Sequence, residues 1–167
     1  MQCVSTIKRN KNEIVLILGG TFDPIHYGHT LPAEETALWL GAKQVSLLPA
    51  HIPPHKNNTH ATAIQRSAMA ALVCNHHPLF NLDTRELERN THSYTVDTLL
   101  ELKAEHPTAR LHFMMGMDSL LSFTHWQRWQ QILTLCHLVV NIRPGYSHQK
   151  LEASISPALH SHIVHDI

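Results

Sequence analysis

The chain has 167 residues, 43% of them apolar and 16% charged, and its 13 Lys and Arg balance its 13 Asp and Glu. This length suits one domain with a sizeable hydrophobic core. The balanced charge argues against a nucleic-acid surface and an acidic disordered tail, so it favours small molecules as partners.

Short β-branched apolar runs alternate with longer helical patterns. In chain order the pattern predicts strands at 14–18, 45–48, 79–82, 111–115 and 138–141. Between them it predicts helices at 28–40, 63–74, 95–105, 118–121 and 127–133, the first of which ends at Gly41 as a C-terminal cap. This alternation predicts a single α/β domain over 1–167, with residues 1–13 as an N-terminal extension. Its core is a Rossmann-like, doubly wound, five-stranded parallel sheet with helices on both faces.

A polar cluster follows the carboxyl end of every predicted strand. The clusters lie at 19–29, 49–56, 83–95, 116–119 and 141–145. In open α/β sheets ligands bind at this edge, where the strand order reverses. The alternating charges of 83–89 are typical of a solvated loop, with only a minority of side chains facing a ligand.

The first cluster reads Gly-Gly-Thr-Phe-Asp-Pro-Ile-His-Tyr-Gly-His. Gly19 and Gly20 have no Cβ, so we expect them to let the backbone turn sharply and approach a phosphate. Thr21 and Phe22 would then present backbone N–H groups to that phosphate.

His26 and His29 lie three residues apart where the first helix begins. Both imidazoles can therefore hydrogen-bond one polyphosphate, and the helix N-terminus favours an anion there. Gly28 is expected to keep the space between the two rings open. The chain has sixteen histidines. The others are mostly scattered singly, and of these only His55 lies in a comparable loop.

Residues 19–29 resemble the nucleotidylyltransferase signature G-G-T-F-D-P-x-H-x-G-H, which implies that the paired histidines hold ATP phosphates. The signature also fits pantetheine-phosphate adenylyltransferases and cytidylyltransferases of small alcohol phosphates. Later motifs resemble the bacterial nicotinate-nucleotide adenylyltransferases in order and spacing, over about residues 14–146. These motifs are 53–56 (Pro-Pro-His-Lys), 65–66 (Gln-Arg), 85–87 (Arg-Glu-Leu), 93–95 (Ser-Tyr-Thr), 116–119 (Gly-Met-Asp-Ser), Trp126 and 143–145 (Arg-Pro-Gly).

The resemblance implies adenylyl transfer from ATP to nicotinic acid mononucleotide, giving nicotinic acid adenine dinucleotide and pyrophosphate in NAD biosynthesis. We expect Mg²⁺ to bind with ATP, because it prefers phosphate oxygens to a protein site. The sequence predicts no protein metal site and neither nucleic acid nor membrane as a partner. The candidate catalytic residues are His26, His29, Lys56 and Arg143, the last two as cations for the polyphosphate. The candidate ATP-binding residues are Gly19, Gly20, Thr21, Phe22, Gly28 and Asp118. The candidate substrate-binding residues are Tyr94, Thr95, Gly116 and Trp126.

Two of these residues have alternative roles. Asp118 resembles an acceptor for ribose hydroxyls, but it could also cap the following helix. Trp126 is implied to stack on the pyridine ring, whose positive charge an indole face attracts. It could instead be a half-buried core residue that packs with Trp129.

The cysteines and apolar runs bear on location. Cys3, Cys74 and Cys136 lack C-x-x-C spacing, which argues against a disulfide framework and a structural zinc site and indicates reduced thiols in a cytoplasmic protein. No apolar run is long enough for the core of a signal peptide or for a helix that spans a bilayer.

The C-terminal region departs from the family pattern. Family members continue with a further strand and an S-x-T-x-x-R signature that opens a helix, and residues 147–167 lack that signature. We therefore expect a domain shortened at its C-terminus and a weak or inactive enzyme that still binds nicotinic acid mononucleotide. The alternatives are a pantetheine-phosphate adenylyltransferase, a catalytically weakened nucleotide-binding homologue, and a metal-binding protein suggested by His160, His162 and His165.

Overall fold

The computed structural model describes residues 13–51, 59–89, 92–142 and 157–162. Residues 160–162 are described by their backbone only. Five strands form one sheet: β1 (Ile14–Gly20), β2 (Val45–Pro49), β3 (Phe80–Leu82), β4 (Arg110–Gly116) and β5 (His137–Asn141). All neighbours are parallel, in the order β3-β2-β1-β4-β5. The strand order reverses between β1 and β4, so the carboxyl ends of these two strands flank the expected ligand crevice.

The helices are α1 (Tyr27–Leu40), α2 (Ala63–His76), α3 (Thr95–Glu105), α4 (Met117–Leu121) and α5 (Trp129–Leu135). Gly41 ends α1 with a φ of 70°, the left-handed conformation that favours glycine. Thr62 and Gln65 begin α2 with reciprocal hydrogen bonds between side chain and backbone. No helix in the described ranges has the length and apolar content needed to cross a bilayer.

The sheet has a hydrophobic core on each face because successive side chains of a strand point to opposite sides. Leu16 and Leu18 of β1 pack with Ala33 and Ala37 of α1, whereas Ile17 packs on the other face in a cluster that includes α3 and α5. Both sides of β1 are therefore buried, which explains its continuous apolar sequence.

The predicted strands and helices match the observed ones within two residues at each end. The prediction of a doubly wound, five-stranded parallel sheet with helices on both faces is confirmed. Two 3₁₀ turns, Phe123–His125 and Pro157–His162, were not predicted. The second turn carries Leu159, which is only 2% exposed and belongs to the core on the α3 side.

Candidate active site

The two glycines of the signature end β1 and do not form the turn. Neither has a positive φ, whereas Phe22 does, at 50°. A Cβ at Gly19 would lie 2.6 Å from Cζ of Phe113, and a Cβ at Gly20 would lie 2.8 Å from Cε1 of Phe22. The prediction that the glycines make the sharp turn is therefore wrong. Their missing side chains make room for two aromatic rings, and the backbone turns at Phe22.

The loop after β1 is held by the segment that precedes α2. The Asp23 carboxylate accepts hydrogen bonds from the backbone N–H groups of His60 and Ala61, at 2.6 and 3.0 Å. Desolvation raises the pKa of Asp23, but these two donors and the charge of Arg66 lower it by more, so the net pKa lies below its usual value. The carbonyl of Thr21 accepts from Nη1 of Arg66 at 2.6 Å.

His26 and His29 form a reciprocal cap at the start of α1. Nδ1 of His26 accepts from the backbone N–H of Gly28 at 3.0 Å, and Nδ1 of His29 accepts from the backbone N–H of His26 at 3.3 Å. A Cβ at Gly28 would lie 2.8 Å from Cε1 of His26, so glycine leaves room for the His26 ring. The edge of Phe22, itself 1% exposed, contacts the His29 ring.

These hydrogen bonds decide the tautomers of the two imidazoles. A ring nitrogen that accepts from a backbone N–H carries no proton, so in the neutral rings the hydrogen is on Nε2. The ring centroids lie 4.0 Å apart, and His26 is exposed while His29 is half-buried. The two imidazoles therefore lie side by side at the first turn of α1, where the helix dipole is positive.

The loops after β3 and β4 place the other candidate residues at the same edge of the sheet. Tyr94 is the N-cap of α3 and Thr95 is its first residue, and both are half-buried. Gly116 ends β4 and is the N-cap of α4, so Asp118 is not the cap but the second residue of the helix. Asp118 is exposed, and its side chain lies at the carboxyl end of β4.

Trp126 packs within the core on the α3 side. Its ring meets Phe113 edge to face at 6.3 Å and meets Phe123 at 5.4 Å. Trp129 also contacts Phe123, so the two tryptophans share a partner. Trp126 is half-buried, and its contact with Phe113 connects it to the ring that occupies the space above Gly19.

The loop at 83–89 is not the solvated loop that its charges predicted, because only Glu88 in it is exposed. Arg85 binds Asp83 at 2.8 Å and Glu105 at 2.9 Å. Arg89 lies 2.7 Å from Glu101. Two arginines therefore connect this loop to Glu101 and Glu105 of α3, and Arg85 also binds Asp83 within the loop.

This loop contains a buried carboxyl, Glu86, to which the sequence assigned no role. It is 4% exposed and accepts a hydrogen bond from Thr98 Oγ1 at 2.7 Å. Desolvation by burial raises the pKa of Glu86 and outweighs the lowering of the pKa by the hydroxyls of Thr98 and Ser93 and by the charge of Arg89. Its place in the 85–87 motif was the only signal in the sequence.

Several predicted residues lie outside the described ranges. Lys56 and Arg143, the two candidate cations, are among them, as are His55 and His165. The side chains of His160 and His162 are likewise not described.

The sequence profile of the cytidylyltransferase-like family matches residues 17–166. The chain belongs to this family. The match reaches beyond residue 146, where the resemblance of the individual motifs ends.

Curated bacterial relatives named "Probable nicotinate-nucleotide adenylyltransferase" confirm the closer resemblance. The relative from Aeromonas hydrophila is 54% identical over 130 residues, which cover 78% of this chain and 61% of the relative. The Psychromonas ingrahamii relative is 48% identical and covers 83% and 65%, and a Yersinia pestis relative is 44% identical and covers 96% and 73%. The chain thus spans between 61% and 73% of the length of these relatives.

Solved structures support the fold. A nicotinic acid mononucleotide adenylyltransferase of Plasmodium falciparum complexed with NaAD has a TM-score of 0.71 at 18% identity, covering 86% of this chain and 72% of that one. The same enzyme complexed with APC has a TM-score of 0.68 at 17% identity, covering 86% and 71%. At this identity the likeness shows a shared fold.

Proposed function

We propose that the protein transfers the adenylyl group of ATP to the phosphate of nicotinic acid mononucleotide and releases pyrophosphate. The observation that carries this proposal is the pair of Nε2–H donors from His26 and His29 at the N-terminus of α1. They lie at the carboxyl end of the switch-point strand, where anions bind in such folds. The names of the bacterial relatives favour nicotinic acid mononucleotide over phosphopantetheine as the acceptor.

The reaction needs no general base. A phosphate monoester is largely dianionic at neutral pH, because its second pKa is about 6, so its oxygen is already a nucleophile. The protein has to align that oxygen with the α-phosphorus, opposite the leaving pyrophosphate, and to stabilise the charge that develops. We assign the second task to His26, His29 and the α1 N-terminus, with Lys56 and Arg143 as additional cations.

The donors of the loop after β1 fit ATP phosphates with their bound Mg²⁺ better than a bare metal ion. The imidazoles present N–H groups, and the carboxylate of this loop, Asp23, already accepts two backbone hydrogen bonds. We propose that Mg²⁺ is held by the phosphates and water, its usual ligands. It would neutralise part of the polyphosphate charge.

The nicotinate end of the acceptor is assigned to the loops after β3 and β4. We propose that the N-terminus of α3, with Tyr94 and Thr95, binds the carboxylate, and that Trp126 stacks on the pyridine ring beside Gly116. Packing of Trp126 on Phe113 and Phe123 supports this role, because it restrains the indole next to the ligand crevice. We assign Asp118, at the carboxyl end of β4, as an acceptor for ribose hydroxyls. We also propose a cytoplasmic location, where ATP and the mononucleotide are available.

The test is pyrophosphate release from ATP with three acceptors supplied separately: nicotinic acid mononucleotide, its amide and phosphopantetheine. We expect the acid to be preferred over the amide, because donors arranged for a carboxylate lose a charge-assisted bond to an amide. Equal rates with acid and amide would remove the nicotinate assignment. Faster turnover of phosphopantetheine would instead favour the pantetheine-phosphate adenylyltransferase alternative.

A further inference from the structure

A ring of polar groups, most of them joined by hydrogen bonds, lies next to the candidate site and has no part in the proposed mechanism. His51 donates its backbone N–H to Ser93 Oγ at 3.0 Å, and its Nδ1 lies 2.7 Å from the carbonyl of Arg89. Because a carbonyl only accepts, this Nδ1 carries the hydrogen. Arg89 Nη1 donates to Thr98 Oγ1 at 2.9 Å, and Thr98 donates to Glu86 at 2.7 Å. The Ser93 hydroxyl lowers the pKa of the Glu86 carboxyl, so the two side chains lie close to each other and complete the ring.

The ring is shielded from water at its polar centre. Ser93 is 6% exposed, Glu86 4% and Thr98 0%. Inside a protein, a buried polar group that loses its partner is left desolvated and unsatisfied, which is unfavourable. Every member therefore holds its neighbours in one arrangement, which is how buried polar networks make a local structure rigid.

Arg66 of α2 connects this ring to the loop after β1. Its guanidinium is 1% exposed and donates through Nη1 to the Thr21 carbonyl and through Nη2 to the His51 carbonyl, at 2.6 and 3.1 Å. One planar group thus bridges two loops that follow different strands. An ammonium group, which is a point charge on a flexible stem, cannot reproduce that fixed bidentate geometry.

The hydrogen bonds from Thr21 through Arg66 and His51 to Ser93 connect the two halves of the proposed site. Thr21 lies in the loop that leads to His26 and His29, and Ser93 directly precedes Tyr94 and Thr95 at the start of α3. In-line transfer depends on the distance between groups held by these two loops, and a misplacement of about 1 Å can cost roughly a hundredfold in rate.

We propose that Arg66 and Ser93 are positioning residues. Through His51 they hold the loop after β1 and the start of α3 in a fixed relative position. This inference rests on the proposed function for its effect on catalysis. Its structural content, that the loop after β1 is restrained from Ser93, does not depend on turnover. Neither residue has to contact a substrate.

The test compares Ser93→Ala, Arg66→Lys and the double variant with the native chain. Each single variant should lower kcat by about tenfold or more, because alignment is lost, while calorimetric Kd values for each substrate change by less than about threefold. The double variant should lose about as much as the worse single variant, since either change interrupts the same path. Multiplied losses would overturn the proposal.

Hydrogen exchange gives a readout that does not need activity. Ser93→Ala should speed amide exchange in residues 21–26 at least threefold, although Ser93 contacts none of them in the described hydrogen bonds. The matched control is Ser46→Ala, which removes a partly buried serine hydroxyl bonded to Asn81 within the sheet and should leave exchange there unchanged.

The outcomes separate the two claims. If the native chain makes no dinucleotide but Ser93→Ala still speeds exchange in residues 21–26, the proposed function is refuted and the positioning role stands. If the native chain is active but Ser93→Ala changes neither exchange nor kcat, the positioning role is refuted and the function stands. The same holds if Ser46→Ala changes them equally.

Discussion

Two loops at the same edge of the sheet are built in opposite ways. In the loop after β1, the cap formed by His26 and His29 uses hydrogen bonds between residues two or three positions apart, at an exposed surface. In the loop after β3, the hydrogen bonds of Glu86 and Ser93 join residues 12 and 42 positions apart, in the interior. The first arrangement depends on local sequence, whereas the second requires the whole sheet to be assembled.

This difference predicts how substitutions separate activity from stability. Side chains of the exposed cap stabilise little, because their hydrogen bonds compete with water. Groups in the buried network leave unsatisfied partners when they are removed. Substitutions in the cap should therefore lower turnover. Substitutions in the buried network of Glu86 and Ser93 should also lower the free energy of unfolding.

The largest expected effect sharpens this contrast at His29. His29→Ala should lower kcat about a hundredfold or more with little change in the Kd of nicotinic acid mononucleotide, because the lost Nε2–H acts mainly as charge develops. His29→Asn should keep an acceptor for the His26 backbone N–H and a near-native melting temperature, yet lose activity similarly. Steady-state kinetics, titration calorimetry and thermal unfolding measure these quantities.

The control for this prediction is His76→Ala. His76 is an exposed histidine whose Nδ1 bonds the carbonyl of Leu72 within α2, away from the candidate site. A kcat for His29→Ala within threefold of the native value would show that this imidazole has only a capping role.

A second prediction concerns Gly19, a residue of the signature that has a packing role. Gly19→Ala should destabilise the protein by about 1–3 kcal/mol, because its Cβ would overlap the buried ring of Phe113. Thermal unfolding should show a fall of roughly 2–10 °C for a domain of this size. Gly116→Ala, where nothing lies within 4 Å of the added Cβ, should unfold near the native temperature, and equal losses in the two variants would contradict the packing argument.

A smaller effect is expected from Gly28→Ala. The added Cβ would meet only the exposed ring of His26, which can rotate away and thereby lose its cap. Alanine favours the helix by about 1 kcal/mol and loss of the cap costs about as much, so the free energy of unfolding should change little. We expect kcat/KM to fall about tenfold, and a loss of stability in urea unfolding without a loss of activity would reverse this interpretation.

The smallest effect concerns pH and Glu86. Burial is the main influence and raises the pKa of Glu86 above its unfolded value, so the folded state holds a proton that the unfolded state has lost. This contribution is fully present below the unfolded pKa and is lost as pH rises through the folded pKa. Glu86→Gln cannot titrate, so the stability of the native chain relative to this variant should decrease between pH 4 and pH 8.

An exposed carboxylate supplies a control of opposite sign. The hydrogen bond from Arg85 lowers the pKa of Glu105, so its contribution is present above the unfolded pKa and is lost as pH falls. Relative to Glu105→Gln, the native chain should therefore gain stability as pH rises through the unfolded pKa. Urea unfolding of all three proteins at several pH values tests both signs, and parallel trends for the two variants would contradict the assignment.

The sequence by itself determined the elements and the histidine cap. Apolar periodicity distinguished strands from helices, because a strand buried on both faces and an amphipathic helix require different residue spacings. Gly41 and the spacing of His26, Gly28 and His29 act within one helical turn, so their geometry follows from nearby residue types and backbone angles.

Only the tertiary structure decided which distant side chains meet. The space left by Gly19 is filled by Phe113, because β4 pairs beside β1, and no local pattern encodes that neighbour. The charges at 83–89 predicted a solvated loop because a sequence does not reveal whether opposite charges lie within reach of α3. Glu86 and Ser93 acquire their environment when α3 packs beside the loop after β2. A contact between remote residues is set by strand order and packing, whereas a contact within a turn is set by the turn itself.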